Sequence, residues 1–501
     1  MITRICLLRG TGLRLVRGAS AAHPAWRKPS TVLAAIVVCA VAFVPNGARA
    51  QAPAEKIPTV LISLYPTAEP VPALKYQLLP AMIERRPGNA AVIYGKVTAE
   101  QSAFFGNEKL QENIAQWLEM PFDEFPKEQV RKEFRPPLHF LRMAARCESC
   151  DWDLPIREEM FYAILLPDVQ QTRQFGRVLA LQARVHIAHH EYDQALETLQ
   201  MGYALGRHVA EQPTLVSNLV AIAIHGQMLG RMMEWIQQPD SPNLYWALSA
   251  LPRPMVDLRR AMEVEMYSIY FSFPELRDLD TKDYPPAYWQ YLLDKYVREF
   301  AKLMGAPPAP EVQRVMTAAL VLQGYPKAKQ WLIEQGRKAE DVEKMPVAQV
   351  VLLYTVHTYD ELRDDMFKFL FVPFVEAKKG LQQAEEKLQD AIHARGREII
   401  PLASVVLPAV GAVKNAEVRG QREIALLRVL EALRLYASKH GRLPDSLNDI
   451  TEVPIPKDPV RDEPFTYQAH DRRSAVLEVL GPPGTWGGYP SGARYEIELK
   501  K

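Results

Sequence analysis

The segment VHIAHHEYDQALETL, residues 185–199, is the part of this sequence that most suggests chemistry. Its potential metal ligands are His186, His189, His190, Glu191 and Asp193. Imidazole and carboxylate groups bind zinc and other transition metals, so a metal-dependent hydrolase is one hypothesis for this segment. However, Glu191 follows the histidines instead of lying between them, so the HExxH order of zinc proteases is absent.

The secondary structure around His190 decides whether these side chains can converge. Only an unbroken helix would place His186 and His190 on one face. If a second helix begins at Tyr192, the flanking residues have the spacing of the packing positions in a tetratricopeptide-like hairpin: Leu179, Ala183, Leu199 and Gly202. His190 and Glu191 would then lie in the turn. We therefore predict that the cluster covers a solvated helix end, with a metal site as the alternative.

A second candidate for chemistry is the segment RCESCDWD, which contains Cys147 and Cys150. In an exported chain these two thiols are expected to oxidise, so we predict a Cys147–Cys150 disulfide that stabilises the fold by about 2 kcal/mol. A redox-active pair is the alternative, but such pairs usually begin a helix after a strand, whereas LRMAAR before Cys147 is helix-like. Asp151 and Asp153 are interpreted as turn and cap residues.

Other signatures of catalysis are not found in the sequence. The G-x-S-x-G, G-x-x-x-x-G-K-[ST] and G-x-G-x-x-G motifs are all absent. The acidic runs Asp360-Glu361 and Asp364-Asp365 stand at helical spacing beside basic residues, which is typical of a solvated helix face. We therefore assign no catalytic, cofactor-binding or metal-binding residue and predict no cofactor.

Aromatic residues are concentrated between positions 284 and 296. They could line a groove for a partner or a glycan, but aromatic side chains at helical spacing usually pack in a core, so we predict core packing. The group consists of Tyr284, Tyr288, Trp289, Tyr291 and Tyr296.

Apolar residues recur at three- and four-residue intervals through most of residues 73–439, which predicts a mainly α-helical body. Prolines separate the segments, because proline cannot continue a helix. We expect irregular stacked helical hairpins that resemble tetratricopeptide repeats in part. The predicted helical segments are 110–120, 172–189, 192–210, 215–237, 255–270, 288–303 and 381–395.

The first 50 residues are typical of a secretory leader. They contain seven basic and no acidic residues, an apolar run over 32–44, and Ala48-Arg49-Ala50 before the expected cleavage site. Thirteen apolar residues are too few for a membrane-spanning helix, which needs about 20, so we predict export to the periplasm or cell envelope without a stable membrane span. An organelle transit peptide is the alternative.

Removal of this leader leaves 53 basic and 59 acidic residues, a net charge of about −6 with histidine neutral. Nucleic-acid binding requires a concentrated positive surface, so a nucleic-acid partner is disfavoured.

The C-terminal part changes character. REIALLRVLEALRLYASKHG, residues 422–441, is predicted to be an amphipathic helix that ends at Gly441, with Pro444 as a stop signal. PFTYQA, AVLEVLG and ARYEIELK follow, and their alternation predicts about three antiparallel strands. A small α+β module is therefore expected over residues 421–501.

This helix, followed by LPDSLNDI and PKDPVRDEPFTY, is similar to the globular part of the major pseudopilin of type II secretion. The chain lacks that family's N-terminal processing site before the module, so the resemblance does not imply pilus assembly.

A second resemblance, over most of the chain, is to a group of uncharacterised exported helical proteins of planctomycete bacteria. It rests on the segments ALKYQLLP, PGNAAVIY, RCESCDWD and MPVAQVVLLY. That resemblance implies compartment and architecture but no mechanism.

These expectations divide the chain into a signal peptide (1–50), a linker (51–72), a helical-hairpin domain (73–420) and a helix with a small sheet (421–501). The favoured function is that of a non-enzymatic interaction or scaffold protein with protein partners in the cell envelope. The alternative is an exported metal-dependent hydrolase or redox protein that uses the 186–193 cluster or the Cys147/Cys150 pair.

Overall fold

A computed structural model describes residues 57–157, 161, 164, 166–303, 309–393, 403, 407–481 and 492–501. The predicted leader and the first part of the predicted linker lie outside these residues. The described chain is mainly helical with a small C-terminal sheet, which confirms the predicted fold class. No helix among the described residues combines the length and the apolar character needed to cross a bilayer.

Short helices form the first part of the helical body, and longer helices follow. The first five are α1 Ala90–Glu100, α2 Ser102–Phe105, α3 Glu108–Glu119, α4 Lys127–Glu133 and α5 Leu138–Ala145. The next five are α6 Pro167–Ala188, α7 Tyr192–Ala210, α8 Leu215–Trp235, α9 Tyr245–Ser249 and α10 Arg259–Ser272. The others are α11 Pro286–Leu303, α12 Pro310–Glu334, α13 Ala339–Lys344, α14 Val347–Phe367, α15 Phe374–His393 and α16 Pro408–His440.

Prolines begin several of these helices, as the sequence predicts. Pro167, Pro286, Pro310 and Pro408 each stand at the first helical position, where the absent N–H would have no helical acceptor. Pro326 is an exception because it lies inside α12. Proline position therefore predicts helix starts well here and helix interruption less well.

The three consecutive helices α6, α7 and α8 pack against one another and form the centre of the body. Two glycines of α7 allow close approach to α8, because an added Cβ would overlap Met228 at Gly202 and the ring of His225 at Gly206. Gly202 is one of the small packing residues that the hairpin pattern predicts. The predicted hairpin of α6 and α7 is therefore confirmed.

A four-stranded sheet has the order β1-β6-β5-β4. The three C-terminal strands are antiparallel, as predicted, whereas β1 pairs in parallel with β6, from Thr59 opposite Arg494 to Leu64 opposite Leu499. The prediction of a linker over residues 51–72 is thus wrong for residues 59–64. A second, two-stranded sheet pairs β2 with β3. The strands are β1 Thr59–Leu64, β2 Arg86–Asn89, β3 Cys147–Ser149, β4 Thr466–Ala469, β5 Ser474–Leu480 and β6 Gly492–Leu499.

The helix α16 differs from the prediction in two ways. It begins at Pro408, so it crosses the predicted domain boundary between residues 420 and 421. It is also buried on all sides over most of residues 422–437, and so is not amphipathic. Its arginines Arg422 and Arg434 can be buried because each contacts a carboxylate inside the molecule, Asp458 and Glu431 respectively. Its C-terminus agrees with the prediction, because Gly441 adopts the left-handed conformation (φ 65°) that caps the helix.

The ion pair of Glu431 and Arg434 lies at the centre of this burial, and both side chains have no exposed surface. Arg434 Nη1 is 2.9 Å from Glu431 Oε2, and the guanidinium also donates to Tyr65 O, Thr67 Oγ1 and Ser241 O. Glu431 Oε1 accepts the backbone N–H of Leu244 at 3.0 Å. Both charges are therefore compensated by partners from three separate parts of the chain.

Replacement of Arg434 by Leu should strongly destabilise the fold, because Glu431 would stay buried without its cation. We expect the free energy of unfolding, measured by urea titration with circular dichroism, to fall by about 3–5 kcal/mol. The control is Arg442→Leu, which removes the partner of the exposed Asp445 carboxylate and should cost less than about 1 kcal/mol. If the free energy of unfolding falls equally in the two variants, the structural importance of the buried Glu431–Arg434 ion pair is contradicted.

Candidate functional site

The turn between α6 and α7 contains the predicted histidine cluster. The helix ends at Ala188, His189 is its cap, and His190 has a positive φ of 58°. The predicted break in the helix is therefore confirmed, and His186 and His190 do not share a continuous helical face.

Each imidazole in this turn has different partners. His186 Nδ1 is 2.7 Å from Glu191 Oε2, and Arg131 contacts the other oxygen of Glu191 at 2.6 Å. His189 Nδ1 is 3.7 Å from a carboxylate oxygen of Glu128, whereas His190 Nδ1 is 2.9 Å from the hydroxyl of Tyr192. In the part of the chain that the structure describes, no three His, Cys, Asp or Glu side chains are grouped as metal ligands.

The environment of Glu191 shows what holds this turn together. Burial alone would raise the pKa of Glu191, but hydrogen bonds from His186 and Arg131 outweigh burial and lower that pKa. The carboxylate thus joins α6 to α4, which contributes Arg131. The arrangement is that of a structural turn.

The two cysteines lie on and after β3, and both are buried free thiols in the structure. Burial raises the pKa of Cys150 most, and the nearby carboxylate of Glu211 raises it further. Burial likewise raises the pKa of the Cys147 thiol. Redox and nucleophilic reactions of cysteine require the thiolate, which these surroundings disfavour. The disulfide stays a prediction for the exported, oxidised chain.

The residues around the cysteines are held by a connected set of hydrogen bonds. Cys150 N–H donates to Glu211 Oε2 at 2.7 Å, and the nitrogen His208 Nε2 is 3.1 Å from Cys147 O. Burial lowers the pKa of His208 to about 3, so its ring is neutral at physiological pH. Asp153 N–H donates to Asp151 Oδ1 at 3.0 Å, which is the turn geometry predicted for these aspartates.

A recess of about 430 Å³, here called the acidic pocket, lies between α12 and α14. The indole of Trp331 on α12 forms one wall, and its ring centre is 5.7 Å from that of His357 on α14. Four carboxylates contribute to its lining. The lining residues are Asp280, Trp331, Leu332, Gln335, Arg337, His357, Asp360, Glu361 and Asp364.

Only part of the negative charge in this pocket is compensated. Asp280 contacts Arg337 and His357 Nε2, the latter at 2.9 Å. Arg363 contacts both Asp360 and Asp364. Among the described residues, no cationic group lies within 4.0 Å of the Glu361 carboxylate. Glu361 is thus the carboxylate most available to a ligand.

One of these carboxylates differs from the expected solvated helix face. Asp360 accepts hydrogen bonds from the Tyr270 hydroxyl at 2.7 and 2.9 Å, and burial raises its pKa in spite of that bond. The prediction of simple solvation is therefore wrong for Asp360. The sequence contained one signal of this site: His357, Asp360, Glu361 and Asp364 recur at the spacing of a single helix face.

The predicted aromatic group contributes mainly to the core. Trp289 and Tyr296 are at most 1% exposed, which confirms core packing for these two residues. Tyr284 and Tyr288 are partly buried and contact each other with ring centres 4.5 Å apart. Tyr291 is half-exposed and marks the outer edge of the group.

The N-terminal half of α12 exposes an apolar stripe. Its residues Val312, Val315, Ala319 and Leu322 follow one another at intervals of three, four and three, which places them on one helix face. Val315 is 69% exposed and Leu322 is 76% exposed. In contrast, Ala328 and Leu332 in the C-terminal half are buried. This apolar stripe of α12 lacks cover from the described residues.

Comparison with known proteins provides no relative: no protein-family model, no curated protein and no solved structure matches this chain.

Export, which the leader pattern predicts, would place the chain in an oxidising compartment, and there we expect a Cys147–Cys150 disulfide because the two thiols are close in sequence. Alkylation in denaturant without reductant should leave both cysteines unmodified in the intact mass spectrum. Reduction should then lower the melting temperature without preventing folding. Two alkylated cysteines in the unreduced chain would contradict the disulfide.

Proposed function

We propose that the protein is exported to the cell envelope and acts there as a non-enzymatic interaction protein. The secretory leader pattern of residues 1–50 supports export. The resemblance to exported planctomycete proteins and to the pseudopilin globular module agrees with such a compartment. The resemblance to the pseudopilin extends to the module alone and carries no proposal of pilus assembly.

The apolar stripe of α12 is the observation that carries this proposal. Val315 and Leu322 lie exposed on one helix face, where none of the described residues covers them, and such apolar area commonly marks a protein-binding surface. Covering apolar surface contributes roughly 25 cal/mol per Å² before the costs of association. A second protein that covers the stripe would therefore gain binding energy there.

The spacing of the stripe indicates the kind of partner. Intervals of three and four residues are those by which two helices pack along a common seam. Ala319, at the middle of the stripe, would allow the partner backbone to approach closely. The proposed partner is therefore an envelope protein that presents an amphipathic helix with its own apolar face.

The alternative of a metal-dependent hydrolase or redox protein gains no support from the described geometry. The three imidazoles of the 186–193 cluster face different partners, and burial disfavours the thiolates of Cys147 and Cys150. We therefore retain the interaction function as the proposal.

Export predicts a defined N-terminus. In the native host, the chain recovered from the envelope fraction should begin at Gln51, because a signal peptidase would cut after Ala50. Intact-mass measurement and N-terminal sequencing of that chain test this directly. A full-length chain recovered from the cytoplasm would contradict the proposed compartment.

Charge placed on the stripe should disrupt partner binding. The double variant Val315→Glu, Leu322→Glu would place two charges in the interface, where they would lose their water. We therefore expect the amount of envelope protein crosslinked to this variant to be at least tenfold lower than the amount crosslinked to the wild type. The control is Leu320→Glu, which changes an exposed apolar residue of α12 outside the stripe.

Quantitative mass spectrometry of crosslinked envelopes provides the measurement, and circular dichroism verifies that the variants fold. Retention of the partner by the double variant would contradict the proposed surface. If light scattering instead shows a homodimer that only the double variant loses, the stripe binds a second copy and the proposal of a distinct partner is wrong.

A further inference from the structure

We propose that the acidic pocket binds an organic cation, namely a primary ammonium or guanidinium group on an aliphatic chain. This site is separate from the apolar stripe, because Trp331 follows Leu322 by nine residues and so lies on roughly the opposite side of α12. The inference therefore goes beyond the proposed function and does not depend on it.

Charge is the first argument for a cationic ligand. The four carboxylates of the pocket are opposed by the guanidinium groups of Arg337 and Arg363, so the carboxylates exceed the guanidinium groups by two negative charges. A recess with this excess attracts cations and repels anions. Anionic ligands such as phosphates or carboxylates are thereby disfavoured.

The position of the free charge is the second argument. Asp280, Asp360 and Asp364 already contact arginine, whereas Glu361 has no such partner among the described residues. A ligand ammonium or guanidinium beside Glu361 would supply the missing cation. A charge-assisted hydrogen bond of this kind is stronger than one between neutral groups.

The aromatic wall is the third argument. The partly buried indole of Trp331 lines the pocket. Indole is the side chain that attracts cations most strongly through its ring face, and it also covers the methylene groups of an alkyl chain. The pocket volume of about 430 Å³ exceeds the needs of a single ion and suits an extended chain.

A metal ion fits this pocket less well. Three of the four carboxylates are held by arginines, and no three potential ligands are grouped for a metal anywhere in the described ranges. A neutral oligosaccharide would stack on the indole and donate hydrogen bonds to the carboxylates, but it would gain nothing from the excess negative charge. An organic cation, in contrast, is favoured by the excess negative charge, by the Glu361 carboxylate and by the indole of Trp331.

An ammonium or guanidinium group on an aliphatic chain occurs both in a free polyamine and in the lysine or arginine side chain of a peptide. Isothermal titration of the mature chain with spermidine tests the first source, and titration with an end-blocked trilysine peptide tests the second. Cellotriose and zinc chloride, each titrated alone, test the neutral-sugar and metal alternatives.

We expect spermidine or trilysine to bind the wild type, and binding to weaken as salt is added. Glu361→Gln should weaken that binding about tenfold, which corresponds to about 1.4 kcal/mol. The matched control is Glu340→Gln, which removes the same charge from an exposed position of α13 outside the pocket and should leave the affinity within about twofold.

The stripe variant Val315→Glu, Leu322→Glu should bind the cation as the wild type does, so the two proposals can fail separately. The cation site is wrong if neither spermidine nor trilysine binds, or if Glu361→Gln and Glu340→Gln weaken binding equally. Binding of cellotriose or zinc alone, without either cation, would also overturn it. Circular dichroism of each variant verifies the fold before titration.

Discussion

The buried guanidinium of Arg434 is the interaction on which the arrangement of this chain depends. It contacts α16 itself through Glu431, the segment after β1 at Tyr65 and Thr67, and the loop after α8 at Ser241. A buried charge that lost these partners would cost several kcal/mol, so the three segments must assemble together. The segment after β1, the loop after α8 and the helix α16 are therefore joined at one point.

The elements that local patterns could predict are those whose contacts are local. The bounds of α7 and the turn at His190 follow from apolar spacing and from residues next to each other in sequence. The strand β1 was missed because its partner β6 lies at the other end of the chain. The buried character of α16 was missed because Glu431 and Arg434 look like a polar helix face until their distant partners are known.

The same contrast holds for the candidate sites. Histidines that are neighbours in sequence point to separate partners, because the helix ends between His186 and His190. On α14, His357, Asp360, Glu361 and Asp364 share one helix face, which is the one local signal of the site, but this spacing is also that of an ordinary solvated face and does not indicate a pocket. Trp331 provides the wall that makes those carboxylates a recess, and it belongs to another helix. Convergence in space, and not density in sequence, separates the acidic pocket from the histidine turn.

The helix α12 links the two proposed binding surfaces physically. Its C-terminal half is held against α14 by buried Ala328 and Leu332, and this packing positions Trp331. Its N-terminal half exposes the apolar stripe, which no described residue covers, and helices without tertiary packing are only marginally stable in water. A partner on the stripe would therefore add packing to that half. The acidic pocket, which rests on the packed half, would keep its geometry with or without that partner.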